Sequence, residues 1–598
     1  MDTNNNLQPT IKTVKEVMNI GTNSADKKIL LCVSPNYSMF MLDEEISNLK
    51  KGESDFTKDV DWRPAIPLGI LYLAGTLRKK GISVEILDLH RSFYECRVSG
   101  YFMKNNLDDF FRDFYTNYLI DNDFDIVGIS SLFNVSFTAV ARMTKHIRDL
   151  SKNTKIILGG HFPSNEYRTI FKNEDIDCDY IILGEGEELL VWLIENLGNK
   201  DIRQQVEEHP HIVDKFSYEK IQKNYNTVTS LDNLAEPAYD ILPHLEEYIT
   251  GSLHAQRMGS QLFNDVRSAE LYTSRGCPLK CTFCASWKVH GRKVRYHSND
   301  YLFKHIDDLV NRFDINQLII EDDMFNIKKD RVIELCKGIY DKYGDRFSIE
   351  FPNGLAGWLL TEEVIYWLKK AGMKTITVAV ESGSPYVQKH ILKKNLKLPK
   401  MVEVVEMLKS FDINTRAFFI VGFIGETLEQ MEESIRFALK LDVDWTEIKV
   451  LTPLAGSEMY ELAIERGLLD AENEDFSEHV YGRSCLNTPE FTAEQVKIVQ
   501  YDGNIRANFL NNRALRTGDY LQAERTFKGL VGNYPNHLFA QWGLWQALLG
   551  LKKHGEASKV LKKIQNLCTA DSKNVNLIKK YNLELQVNLN LNLVGAGS

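Results

Sequence analysis

Two rhythms of apolar and polar residues run along the chain. From about residue 28 to residue 200, short unbroken apolar runs alternate with longer stretches in which apolar positions recur at helical spacing. An unbroken run such as Ile29-Leu30-Leu31-Cys32-Val33 predicts a parallel strand buried on both faces. Further strands are expected at Val84 to Asp88, Asp125 to Ser130, Lys155 to Gly160 and Tyr180 to Gly184. Pro67 opens a helix in its first turn and Gly81 stops it. Another helix carries Val140, Met143, Ile147 and Leu150 on one face, with Ser136 as its N-cap. Strands alternating with helices predict an α/β domain with a doubly wound parallel sheet, spanning 28–200, whose ligand lies beyond the carboxyl ends of the strands.

A polar, irregular connector covers 201–265, and the alternation resumes over 266–468. Strands there end near Ser274, Glu321, Phe351, Val380, Val421 and Leu451, which predicts a partial (β/α)6 barrel with chemistry at the carboxyl ends. Residues 469–598 read as all-α. Gly518, Tyr520, Ala523, Phe527, Tyr534, Pro535, Ala540 and Ala557 follow the spacing of a tetratricopeptide-like helical pair. One or two such units cannot stand alone, so a cap packed on the barrel is expected rather than a separate docking surface. Residues 1–27 form a polar tail.

Composition narrows the classes. The chain is 43% hydrophobic and 26% charged, as in ordinary globular proteins. A net charge of −10 argues against a general nucleic-acid surface. No apolar run reaches transmembrane length. The N-terminus lacks the apolar core of a signal peptide, so a cytoplasmic, reducing location is expected. The nine cysteines are odd in number and scattered, which does not suit a disulfide framework.

Chemistry concentrates in Arg275 to Cys284, RGCPLKCTFC, just after the first barrel strand. Cys277, Cys281 and Cys284 supply three soft thiolates. A cubane cluster usually takes four; three would leave one iron open to a substrate or cofactor. A zinc site completed by His290 or His297 is the alternative. At the carboxyl ends of the first-domain strands stand Ser130-Ser131, Gly159-Gly160-His161 and Gly184-Glu185-Gly186-Glu187, small residues that let a bulky ligand approach the backbone.

The CxxxCxxC spacing is similar to that of the radical S-adenosylmethionine (SAM) enzymes. With PLGILYLAG, ILGGH, GEGE and the linker EPAYDILP, residues 28–468 resemble the cobalamin-dependent class of that superfamily. The resemblance implies a [4Fe-4S] cluster on Cys277, Cys281 and Cys284, with SAM on the open iron and Phe283 beside its adenine. Glu381, Ser382 and Gly383 are implied as SAM contacts. Glu321, Asp322 and Asp323 stand where other subclasses carry Gly-Gly-Glu, and Ile424 stands where Pro is common. Cobalamin is implied at Ser130, Ser131, Gly159, Gly160, Gly184, Glu185, Gly186 and Glu187. Asp88-Leu89-His90 mimics the start of a cobalt-ligating DxHxxG motif, but Phe93 replaces its Gly and the motif follows the wrong strand, so His90 is expected to be an ordinary polar residue. The implied activity is methyl transfer to an unactivated carbon, or to a phosphinate phosphorus, of a small-molecule substrate, served by an external electron donor of flavodoxin or ferredoxin type. Two alternatives remain. Trp287-Lys288 with Arg292 and Arg295 is somewhat like the flank of the anaerobic magnesium-porphyrin ester cyclases, which implies a radical cyclisation; the other is a non-catalytic sensor.

Overall fold

The computed structural model describes residues 28–37, 39–51, 64–119, 124–221, 225–251, 266–469 and 486–583. The polar tail 1–27 and residues 584–598 lie outside this set. Strand β1 (Ile29–Val33) explains its own composition: Ile29 and Leu31 join one core, while Leu30 and Cys32 join another on the opposite face. It lies between β2 (Val84–Asp88) and β3 (Ile126–Ser130), followed by β4 (Lys155–Gly159) and β5 (Tyr180–Ile182), all parallel. The order β2-β1-β3-β4-β5 reverses direction between β1 and β3, which makes that pair the topological switch point.

The connector is more structured than expected. Its β6 (Ile212–Val213) pairs antiparallel with β5 and closes the sheet edge. Two residues are too short a run to show periodicity. The helix Phe137–Leu150 buries Val140, Met143 and Ile147, but Leu150 is exposed and the Ser136 hydroxyl donates to Asn36 instead of capping the helix.

The barrel is built from two parallel three-stranded sheets. One contains β7 (Ser268–Leu271), β10 (Gln317–Ile320) and β11 (Ser348–Glu350); the other β12 (Thr375–Glu381), β13 (Asn414–Val421) and β14 (Trp445–Val450). A parallel bridge between Leu355 and Val378 joins them. β7 ends earlier than expected; Ser274–Arg275 forms its own short strand, β8, paired antiparallel with β9 (Arg295–Tyr296). In β13 alternate residues Ala417, Phe419 and Val421 pack outward into the core. Ala269, Leu271 and Ile349 do the same, which leaves Glu270 and Glu350 on the inner face. Burial pushes both of these carboxyls up to about 8.

The helical C-terminal region caps the barrel. Helix Ala493–Ile505, continued by the wider turn Arg506–Leu510, lies along β14, an edge strand. Asn508 accepts from Thr446 N–H and donates to its carbonyl, both at 2.7 Å; Asn504 does the same for Ile448 at 3.2 and 3.0 Å. Side-chain amides at four-residue spacing thus satisfy an edge that would otherwise be open. Gly503 permits the approach, since a Cβ there would lie 2.3 Å from the Ile435 side chain. Beyond it, helices Tyr520–Asn533 and Leu538–Gly550 pack as an antiparallel pair in which the Phe527 ring fills the space over Gly543.

Candidate active site

The three cysteines lie on a loop held from every side. The chain enters from β8 through Gly276, whose φ of +100° and close approach to Lys293 O (2.6 Å from a built Cβ) require glycine. Cys277 N–H donates to Gly291 O at 3.1 Å, and Cys284 N–H to Cys281 O at 3.2 Å. Thr282 donates from its amide to Leu392 O and from its hydroxyl to Ile391 O, and its own carbonyl accepts from Met459 N–H. These bonds tie the loop to the turns after β12 and β14. After β10, Asp322 accepts from Thr273 N–H and the Ser274 hydroxyl, each at 2.6 Å, and Asp323 accepts from the Ser286 hydroxyl at 2.5 Å. The acidic residues therefore brace both ends of the cysteine loop, a role that the sequence alone did not reveal.

The thiols suit an iron cluster. Cys277, Cys281 and Cys284 are partly accessible, whereas the other described cysteines are buried. Burial pushes Cys277 up to about 11 and Cys284 up to about 12, so these thiols need a bound cation to ionise at neutral pH. Zinc fits less well. Neither candidate fourth ligand is gathered with the cysteines: His290 Nδ1 lies 2.9 Å from Glu185, and buried His297 bonds Asp232 at 3.1 Å and stacks on Tyr301. Among the described residues no three His, Cys, Asp or Glu side chains converge on one point as a single ion requires; a cubane distributes its thiolates over separate irons.

Around the loop, Phe283 packs toward Phe423, 5.9 Å between ring centroids, with Ile424 and Leu451 in the same apolar wall. Glu381 adopts φ +67° and pairs with Lys394 at 3.1 Å. The side chains of its neighbours have other work. Ser382 shares its hydroxyl with Ser434 at 3.0 Å and accepts from Ser384 N–H, and a Cβ on Gly383 would lie 2.4 Å from Phe437. Ser382 and Gly383 shape the turn and let helix Leu428–Leu441 approach; their amides donate to Val380 O and to the Ser434 hydroxyl, and Ser382 O accepts from Gln388.

At the end of the first sheet, the hydroxyls of Ser34 and Ser131 are buried without a partner in the structure, one after β1 and one after β3. Orphaned hydroxyls at a switch point fit a polar ligand such as a corrin side chain. A Cβ at Gly159 would meet nothing within 4 Å, so that strand end is open. Gly160 and Gly184 differ: both have positive φ, and a Cβ would come 2.5 Å from Ser131 O and 2.4 Å from Asn226 O. Those two glycines serve backbone packing. The backbone of Ser130 accepts from Ser34 N–H, and Gly186 precedes the helix Glu187–Asn196. His90 is fully engaged, with Asn36 N–H on Nδ1 and the Tyr37 hydroxyl at Nε2, each at 3.2 Å.

Glu185 and Glu187 correct the sequence reading most. Their carboxylates point to the cysteine loop rather than to a corrin. Glu185 accepts two hydrogen bonds from Arg295, at 2.6 and 2.8 Å, while Glu187 pairs with Arg275 at 2.8 Å. Burial opposes charge on Glu185, but the hydrogen bonds from Arg295 and His290 outweigh it and hold the carboxyl well below its ordinary range. Arg295 is therefore buried in an interdomain cluster and is not a solvated flank; Arg292 stacks on Trp287 at 4.0 Å. The sequence placed His161 at a strand end without a role; it hydrogen-bonds the backbone of Ala285, next to Cys284, and burial lowers it to about 4, so it is neutral.

An open sheet with its ligand site at a switch point, joined to a three-cysteine loop at the mouth of a partial barrel, is the arrangement expected of a cobalamin-dependent radical SAM enzyme. Comparison with known proteins agrees: the B12-binding domain matches residues 63–194 and the radical SAM superfamily residues 271–438, in that order. The chain is 27% identical to cytidylyl-2-hydroxyethylphosphonate methyltransferase of Streptomyces wedmorensis, over 71% of its own length and 83% of that protein's. It is 25% identical to the anaerobic magnesium-protoporphyrin IX monomethyl ester cyclase of Cereibacter sphaeroides, over 66% and 59%. The fold is similar to the cobalamin-dependent SAM radical enzyme OxsB, solved with aqua-cobalamin and SAM, with a TM-score of 0.57 at 16% identity over 96% of this chain and 82% of that one. No helix among the described residues is long and apolar enough to cross a membrane.

Proposed function

We propose that the protein transfers a methyl group from SAM to an unactivated carbon, or a phosphinate phosphorus, of a small molecule. The observation that carries this reading is the meeting of the two domains: the carboxyl end of β5 is ion-paired to both flanks of the cysteine loop. A corrin and a cluster held in this way face the same space. When bound, the cluster supplies the electron that cleaves SAM to a radical, and the cobalamin supplies the methyl carrier. The chain orients and protects. Cys277, Cys281 and Cys284 hold the cluster, Glu381 with the turn Ser382–Gly383 lines the SAM site, and Phe283 with Phe423 and Leu451 excludes water from the radical. An electron-transfer protein of flavodoxin or ferredoxin type in the cytoplasm serves as reductant.

The Streptomyces relative is named a methyltransferase, which supports this choice; the cyclase shares the same domains and marks the competing outcome. Stoichiometry separates them. Anaerobic turnover is expected to give equal amounts of S-adenosylhomocysteine and 5′-deoxyadenosine per product, with deuterium from methyl-labelled SAM in the product. Formation of 5′-deoxyadenosine and an unlabelled product, without S-adenosylhomocysteine, would refute methyl transfer in favour of cyclisation.

A further inference from the structure

The geometry points to Glu185 as a positioning residue that sets the register between the corrin platform and the cluster loop. The inference rests on the cobalamin-dependent radical reading, and not on the identity of the group transferred. Arg275 and Arg295 are the facing residues of the β8–β9 ribbon, and the whole cysteine loop is the segment between them. Both arginines are buried, at 3% and 9% exposure, and both reach to the loop that ends β5. Glu185 Oε1 meets Arg295 Nη2 at 2.8 Å, His290 Nδ1 at 2.9 Å and Arg275 Nη1 at 3.6 Å. Its Oε2 meets Arg295 Nη1 and Val228 N–H, both at 2.6 Å. Glu187 adds the 2.8 Å pair with Arg275. One carboxylate thus gathers the two ends of the cysteine loop, the helix that follows the third cysteine and the connector.

Such a cluster contributes little net stability, because desolvating the charges offsets most of their attraction. What it provides is a bidentate, directional geometry that neither partner can satisfy at another separation. The neighbouring strand ends make the same junction by weaker means: Asn134 bonds Pro453 O and Ala455 N–H, both at 3.4 Å, and Asn165 leaves no room for a side chain at Gly456. A radical formed at the cluster has to meet substrate and corrin within bonding reach, and a misplacement of about 1 Å costs on the order of 100-fold in such a step.

The predicted signature is uncoupling. Glu185→Gln keeps the shape of the side chain but loses the charge that pairs with Arg295, and Glu187→Gln is the milder variant in case the first does not fold. In each soluble variant reconstituted with cluster and cobalamin, product formed per 5′-deoxyadenosine should fall, by at least about tenfold for Glu185→Gln and less for Glu187→Gln. Dipolar broadening between cob(II)alamin and the reduced cluster in electron paramagnetic resonance should change in parallel. Lys304→Ala removes an exposed pair with Glu236 between barrel and connector and should leave the ratio unchanged. An unchanged ratio in either glutamate variant, or an equal fall in Lys304→Ala, overturns the inference. If wild-type enzyme makes no S-adenosylhomocysteine, the methyl-transfer reading fails, but the ratio still tests the role of Glu185.

Discussion

The two sheets prepare for their ligands in opposite ways. The first is apolar on both faces, and its ligand chemistry is confined to the strand ends, to backbone, glycine and the free hydroxyls of Ser34 and Ser131. The barrel keeps its outer face apolar and turns carboxyl side chains inward, with Glu270 and Glu350 held mainly neutral by burial and, at the rim, Glu381 paired with Lys394. A ligand that lies across strand ends needs room and a few hydrogen bonds. A cavity where a radical is made needs fixed side chains of defined charge. Substitutions should therefore act differently in the two halves: through bulk in the first, through chemical identity in the second.

The largest effect belongs to the barrel. Changing Cys277, Cys281 and Cys284 together to Ala should abolish the cluster of about four irons measured after anaerobic reconstitution. Cys336→Ala, buried in the helix Lys329–Tyr343, should retain it. A cluster surviving in the triple variant would sink the assignment.

Next come two adjacent glycines at the end of β4, which split bulk from backbone strain. Gly160→Ala forces a left-handed residue into the Ser131 backbone and should cost about 1–3 kcal/mol of stability, read from denaturant unfolding, together with cobalamin binding. Gly159→Ala meets only open space, so folding should be unchanged while cobalamin affinity falls several-fold. Equal affinity for cobalamin in Gly159→Ala and wild type would move the corrin away from that strand end.

The cap on the barrel gives a smaller effect. Asn508→Leu removes both bonds to Thr446 and leaves a buried amide and carbonyl unsatisfied, which should destabilise the protein by about 1–3 kcal/mol in thermal or denaturant unfolding without altering the stoichiometry of bound iron. The smallest effect is expected at His90. His90→Ala should leave the cob(II)alamin spectrum unchanged, because its ring nitrogens are used by Asn36 and Tyr37; nitrogen superhyperfine splitting that disappears in the variant would contradict this.

The sequence by itself determined the local order of the molecule. Strands such as Ile29–Val33 and the three-cysteine loop are written in contiguous residues, because burial on both faces and metal ligation each demand a short run of one residue type. It also carried the glycines and serines at strand ends, but not which of them face a ligand: Gly159 and Gly160 are adjacent glycines, yet only Gly160 has a positive φ and lies against the Ser131 backbone. Tertiary structure alone decided the partners of charged groups. Glu185 and Arg295 are separated by 110 residues, Asp322 and Thr273 by 49, and Asn508 and Thr446 by 62. A carboxylate in a loop has the same local signal whether it meets solvent, a corrin or an arginine. Its role is set by whatever the fold brings within about 3 Å of it, a distance at which hydrogen bonding and desolvation act and over which sequence separation has no say.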